Sequence, residues 1–161
     1  MYPALAVHSA LMAKVPSLDT LWVGGEGGME ESLVKRQGIH FQSIPAAGVH
    51  GVELKKLPRN LVTIMRGVFA ARRTLNEFKP DVLFFTGGYV AVPVAMAGRS
   101  IPSLLFVPDI EPGMALKSLA RSADVIAVTT GESQQFFNKK VYETGYRSEE
   151  RRVGKECRSR W

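Results

Sequence analysis

The feature that most constrains this chain is a series of short, largely apolar runs separated by stretches of helical character. Thr20–Val23, Val82–Phe85, Ser103–Val107 and Asp124–Val128 are each bounded by glycine, proline or polar residues. Continuous runs of this length read as strands buried on both faces. Ile39–Ile44 alternates with period two, as a half-buried strand does, and a last strand is expected near 140–144. Between them the sequence predicts helices over 3–14, 29–37 (closed by Gly38), 57–78 (stopped by Lys79-Pro80-Asp81), 90–98, 113–121 and 132–137. Strands alternating with helices at this spacing predict an α/β fold with a Rossmann-like, doubly wound, mostly parallel sheet. Such sheets open with a strand and a glycine turn, whereas this chain opens with a helix, so the sheet is expected to lack its first strand.

Composition allows one ordinary core: 45% of the 161 residues are hydrophobic. No apolar run approaches the ~18 residues needed to cross a bilayer, and the start lacks the charged-then-apolar pattern of a secretory signal, so a cytoplasmic protein is expected. The net charge of +6 invites a nucleic-acid reading, but it is unevenly spread. Half of it falls in residues 147–161, leaving +3 for residues 1–146, and no nucleic-acid partner is expected. The 147–161 run is densely charged and without periodicity, which predicts disorder. Written in suitable codons, all fifteen of its residues match a common short-read sequencing adapter translated in one frame. It is therefore read as a non-native tail following a domain at 1–146. Cys157 belongs to it, so the domain itself has no cysteine for a disulfide, a thiolate nucleophile or a zinc cluster.

In doubly wound sheets ligands bind outside the carboxyl ends of the strands, so the loops after the strands are where chemistry is expected. Gly24–Gly28 follows a strand and precedes a helix, but it lacks the G-x-G-x-x-G spacing and carries Glu26, Glu30 and Glu31 nearby; a structural turn is favoured over a phosphate cradle. Thr86-Gly87-Gly88-Tyr89 lets backbone N–H groups approach an anionic ligand, or else makes a tight packing turn. Val107–Gly113 places two carboxylates, Asp109 and Glu111, on a proline-stiffened loop. Either is a candidate general base for an attacking hydroxyl, the alternative being a helix cap and a solvated side chain.

The long helix has a core stripe of Leu57, Leu61, Ile64, Val68, Ala71, Leu75 and Phe78. Val62, Met65 and Phe69 form a second stripe roughly 110° away, bordered by Arg59, Arg66 and Arg73, with Lys55 and Lys56 just ahead. An apolar stripe edged with arginine suits an anionic membrane surface, and a packing role under a loop or partner helix suits it equally. His8, His40 and His50 have no metal-ligand spacing; His8 reads as helix surface, His40 as a strand residue and His50 as a loop residue open to substrate contact.

Taken together, Tyr2-Pro-Ala-Leu-Ala6, Gly28-Met-Glu-Glu31, Leu33-Val34 with Gly38-Ile39, Gly48-Val-His-Gly51, Lys79-Pro-Asp-Val82, Gly87-Gly-Tyr-Val90 and Thr144-Gly-Tyr146 resemble the MurG family of GT-B glycosyltransferases, family 28. The resemblance spans residues 2–146. It implies the N-terminal, acceptor-side half of a GT-B fold, with the first strand, its glycine turn and the donor-binding second domain all absent, so that the fragment alone is inactive. The activity implied is transfer of N-acetylglucosamine from UDP-N-acetylglucosamine to undecaprenyl-diphosphate-linked muramyl-pentapeptide, at the cytoplasmic face of a bacterial membrane and without a cofactor or metal. Gly87, Gly88 and Tyr89 match the family's second glycine-rich loop, implied to meet the acceptor's diphosphate, and His50 is grouped with them. Asp109 falls where many members end a His-Glu-Gln-Asn run, and here the sequence is Phe-Val-Pro-Asp. The helix carrying Val62, Met65 and Phe69 resembles the family's membrane-docking patch. Two other readings remain: a lipid glycosyltransferase acting on diacylglycerol, and a non-catalytic docking module that recruits a separate donor-binding chain.

Overall fold

The computed structural model describes residues 2–47 and 57–145. In chain order the elements are α1 (Tyr2–Lys14), β1 (Leu21–Gly25), α2 (Glu30–Arg36), β2 (His40–Ile44), α3 (Leu57–Phe78), β3 (Leu83–Phe85), α4 (Ala91–Ala97), β4 (Ser103–Val107), α5 (Met114–Ser122), β5 (Val125–Val128), a 3-10 helix (Gly131–Phe136) and β6 (Val141–Glu143). The expected helix at 132–137 is thus a tighter 3-10 turn. Its first N–H, that of Gly131, is taken by the Glu143 carboxylate at 3.1 Å.

All strand pairs are parallel, as the alternating pattern predicts, but they form two sheets rather than one: β1 with β2, and β3-β4-β5-β6 in order. In the doubly wound order 3-2-1-4-5-6 the opening strand lies between the second and the fourth. The break between β1 and β3 falls at that position, and among the described residues no strand occupies it. Helix α1 buries only Pro3 and Ala4 and leaves Leu11 exposed. His8 is not simply surface: its Nε2 lies 3.0 Å from the Thr20 hydroxyl, tying α1 to the start of β1.

The core sits under the four-stranded sheet. Leu105, Val107, Ile126 and Val128 on one face of the two central strands are fully buried, and Phe106 and Ala127 on the other face are buried too, as strands covered on both faces require. Burying each of the first four contributes about 1.5–3 kcal/mol. Against them pack Ala71 and Leu75 of α3, Val94 of α4 and Leu119 of α5. Gly67 lets α3 come close, because a Cβ there would run into the Pro45 carbonyl oxygen and stand 3.3 Å from Pro93. One core assignment needs correcting: Leu61, expected on the inner face of α3, is 58% exposed. The inner face is narrower and centred on Gly67, Ala71 and Leu75. At ~100° per residue the Val62, Met65 and Phe69 stripe then lies roughly 150° from it, close to the opposite side.

Candidate functional site

β3 and β4 are parallel neighbours, with Leu83 opposite Ser103 and Phe85 opposite Leu105. The loops that leave their carboxyl ends, Thr86–Val90 and Pro108–Gly113, therefore emerge side by side on one edge of the sheet. This brings Gly87, Gly88 and Tyr89 together with Asp109 and Glu111, as the doubly wound pattern requires.

Gly87 and Gly88 have φ of +99° and +90°, backbone values that side-chain-bearing residues rarely adopt, so the turn needs glycine at both positions. Leu116 of α5 stands 3.0 Å from where a Cβ on Gly87 would sit, so this loop also packs closely against the helix following the Asp109 loop. Gly88 has open space around it, and Tyr89 is 56% exposed, its ring available to a ligand.

Asp109 and Glu111 are both exposed, while Pro112 between the loop and α5 is buried. Neither carboxylate caps α5, whose N-cap is Gly113 with no side-chain bond. Two hydroxyls hold this loop from the next strand over. Thr129 donates to the Pro108 carbonyl at 3.1 Å, and Ser133, fully buried, donates to the Ile110 carbonyl at 3.1 Å. The carbonyls on both sides of Asp109 are thus pinned. Sequence reasoning missed Thr129 and Ser133; the available signal was that Thr129-Thr130-Gly131 itself follows a strand in the position of a ligand-facing loop.

Gly24–Gly28 is a structural turn. The Glu30 carboxylate accepts the Gly25 N–H at 3.2 Å and lies against Gly24 and Gly28, so an acidic side chain already fills the place an anion would take. The Cβ position of Gly25 is 3.3 Å from Val90, which brings this turn to the same edge as the Gly87–Tyr89 loop. His40 is exposed on β2. His50, Lys55, Lys56, the Gly48–Gly51 and Tyr146 parts of the motif set, and residues 147–161 lie outside the described residues. Among the described residues no group of three or more His, Cys, Asp or Glu is placed to hold a metal ion.

On α3, Val62, Met65 and Phe69 are 60%, 46% and 69% exposed. Arg59, Arg66 and Arg73 are exposed beside them. Arg73 donates to Glu77 at 2.8 Å, and that bond and charge raise its pKa. Its positive charge is therefore partly answered within the helix, and Arg59 and Arg66 make up the freer basic rim. Among the described residues no helix is long and apolar enough to cross a membrane.

The arrangement has known counterparts. The family model described as the glycosyltransferase family 28 N-terminal domain matches residues 1–128. The UDP-N-acetylglucosamine--N-acetylmuramyl-(pentapeptide) pyrophosphoryl-undecaprenol N-acetylglucosamine transferase of Halalkalibacterium halodurans is 40% identical over 148 residues, covering 90% of this chain and 41% of that protein. The protein of the same name from Roseiflexus sp. is 36% identical over 158 residues, covering 84% of this chain and 36% of that one. The crystal structure of Acinetobacter baumannii MurG superposes with a TM-score of 0.72 at 26% identity, covering 91% of this chain and 41% of that one. The chain spans about two-fifths of the length of these relatives. With the fold and the greater part of the sequence both matched, the chain belongs to glycosyltransferase family 28, whose N-terminal domain it carries.

Proposed function

We propose that this chain is the acceptor-binding part of a transferase that moves N-acetylglucosamine from its UDP donor to an undecaprenyl-diphosphate-linked muramyl-pentapeptide. The observation that carries the reading is the juxtaposition of the Gly87–Tyr89 loop and the Asp109 loop at the carboxyl ends of adjacent parallel strands. The glycine turn offers backbone N–H groups to the acceptor's diphosphate, and Tyr89 offers a flat apolar face beside it. In the transfer, the acceptor hydroxyl attacks C1 of the donor sugar, the bond from C1 to the UDP oxygen breaks with inversion, and the hydroxyl proton passes to a carboxylate. Asp109 is assigned that role because its loop is held on both sides, whereas Glu111 lies beyond the pinned segment. The donor is held mainly by the part of the transferase that corresponds to the remaining length of the relatives. Val62, Met65 and Phe69 rest the domain on an anionic membrane surface, where the lipid-linked acceptor resides.

Calorimetric titration of the chain with a short-chain analogue of the acceptor, diphosphate included, tests the assignment. Saturable binding is expected, weakened about tenfold in Tyr89→Ala, a loss of the size of a ring-stacking contact. UDP-N-acetylglucosamine should bind feebly, and a diacylglycerol analogue should not compete. Preference for diacylglycerol, or tight donor binding with no acceptor binding, would overturn it.

A further inference from the structure

The acceptor edge carries an apolar feature that holding a diphosphate and taking a proton do not use. Tyr89, Ile110 and Met114 are each more than half exposed there. Tyr89 stands in the glycine loop after β3, Ile110 sits between the two carboxylates of the loop after β4, and Met114 opens α5. A single exposed aliphatic residue is ordinary on any surface, but three on the short loops of one sheet edge call for an occupant.

Ile110 is held where it is. Ser133, fully buried, donates to the Ile110 carbonyl at 3.1 Å, and Thr129 donates to the Pro108 carbonyl at 3.1 Å. Pro108 and Pro112 fix two further backbone angles, and the buried Pro112 anchors the far end of the loop. The backbone bends at 109–111 and leaves Asp109, Ile110 and Glu111 all exposed. An aliphatic side chain carried on so constrained a loop loses little freedom when a ligand covers it. Met114 leans the same way, because side chains in the first turn of a helix tilt towards its N-terminus, here over the end of this loop.

The chemistry of the proposed acceptor says what covers this side chain. In an N-acetylmuramyl diphosphate, C1 carries the diphosphate, C2 the acetamido group and C3 a lactyl ether, so the one free ring hydroxyl is at C4. Its neighbour on one side is the carbon that bears the lactyl group. Asp109 and Ile110 are consecutive, with Cα atoms about 3.8 Å apart. A C4 hydroxyl directed at Asp109 therefore brings the lactyl methyl within reach of Ile110. Charge points the same way. The ion pairs among the described residues are Lys35–Glu31 and Arg73–Glu77, so Asp109 and Glu111 stand unpaired on either side of Ile110. Two carboxylates repel a free lactyl acid and accept an amide, whose N–H can donate to Glu111.

We propose that Ile110, with Met114 beside it, is the specificity-determining contact for the lactyl ether of the acceptor sugar, and that the flanking carboxylates restrict the site to a lactyl group amidated by peptide. The inference rests on the acceptor reading above. Three soluble short-chain prenyl diphosphates are titrated into the 161-residue chain by calorimetry. One bears N-acetylmuramyl methylamide, one bears N-acetylmuramic acid with its carboxylate free, and one bears N-acetylglucosamine, which lacks the lactyl group. The methylamide should bind about tenfold more tightly than either of the others. Ile110→Ala/Met114→Ala should erase its advantage over the N-acetylglucosamine compound while leaving that compound's own affinity unchanged, which also reports that the variant is folded. Tyr89→Ala should weaken both compounds alike. Equal affinity of the parent for the methylamide and the N-acetylglucosamine compound, or an advantage that survives Ile110→Ala/Met114→Ala, overturns the lactyl contact and leaves the acceptor reading standing. Equal binding of the free acid overturns the restriction to amidated acceptors. If none of the three compounds binds the parent chain, the acceptor reading falls and the lactyl contact falls with it.

Discussion

Asp124 accepts two bonds from Ser103, and these hold its carboxyl below the usual carboxylate range. A carboxyl whose folded pKa is depressed stabilises the fold fully above its unfolded value, about 4, and loses that contribution as pH falls through the lower folded value. Ser103→Ala should therefore destabilise the chain at pH 7, and the gap between variant and parent should narrow as the pH is brought below about 3. Urea unfolding at the two pH values checks this, and a gap of constant size would mean the hydroxyl acts by packing alone. At the same scale, the candidate site was only partly legible in the sequence. Gly87, Gly88, Tyr89 and Asp109 stand out because they directly follow apolar strands, although glycines in such a place also make purely structural turns, as Gly24–Gly28 does. Thr129 and Ser133 do not stand out, since a hydroxyl residue in a polar stretch reads as solvated until the β4 and β5 loops are seen side by side.

Among the elements, α3 carries the clearest prediction. Met65 and Phe69 are exposed on the side facing away from Ala71 and Leu75, so their replacement removes no core contact. Met65→Asp/Phe69→Asp should change unfolding free energy by no more than about 0.5 kcal/mol per site while sharply reducing co-sedimentation with anionic vesicles. Unchanged sedimentation would return the stripe to a packing role under a partner. The elements themselves were largely readable: the 4-3-4-3 spacing places α3 at 57–78, and the apolar runs place β4 and β5 within a residue. Periodicity overreached at Leu61, because a repeat cannot tell how wide a face the rest of the fold covers; α4 and β2 reach only the strip around Gly67, Ala71 and Leu75. It also missed the 3-10 geometry of Gly131–Phe136, whose first N–H is taken by the Glu143 carboxylate of β6.

Over the whole molecule, two parallel sheets share one layer of helices, and their break lies where a doubly wound fold puts its opening strand. Strand direction and type followed from the residues, whereas the split did not, because pairing depends on which strands are neighbours and local patterning does not encode it. The four-stranded half carries the proposed acceptor edge, since Gly87–Tyr89 and Asp109 are placed by β3 pairing with β4, by the packing of Gly87 against Leu116 and by the bonds from Thr129 and Ser133. Amide shift mapping with the soluble diphosphate acceptor analogue tests this most directly. Perturbations in both the 86–90 and the 108–113 segments, rising together with one dissociation constant, are the predicted result. Perturbations confined to one segment, or saturating at different concentrations in the two, would contradict a shared acceptor site.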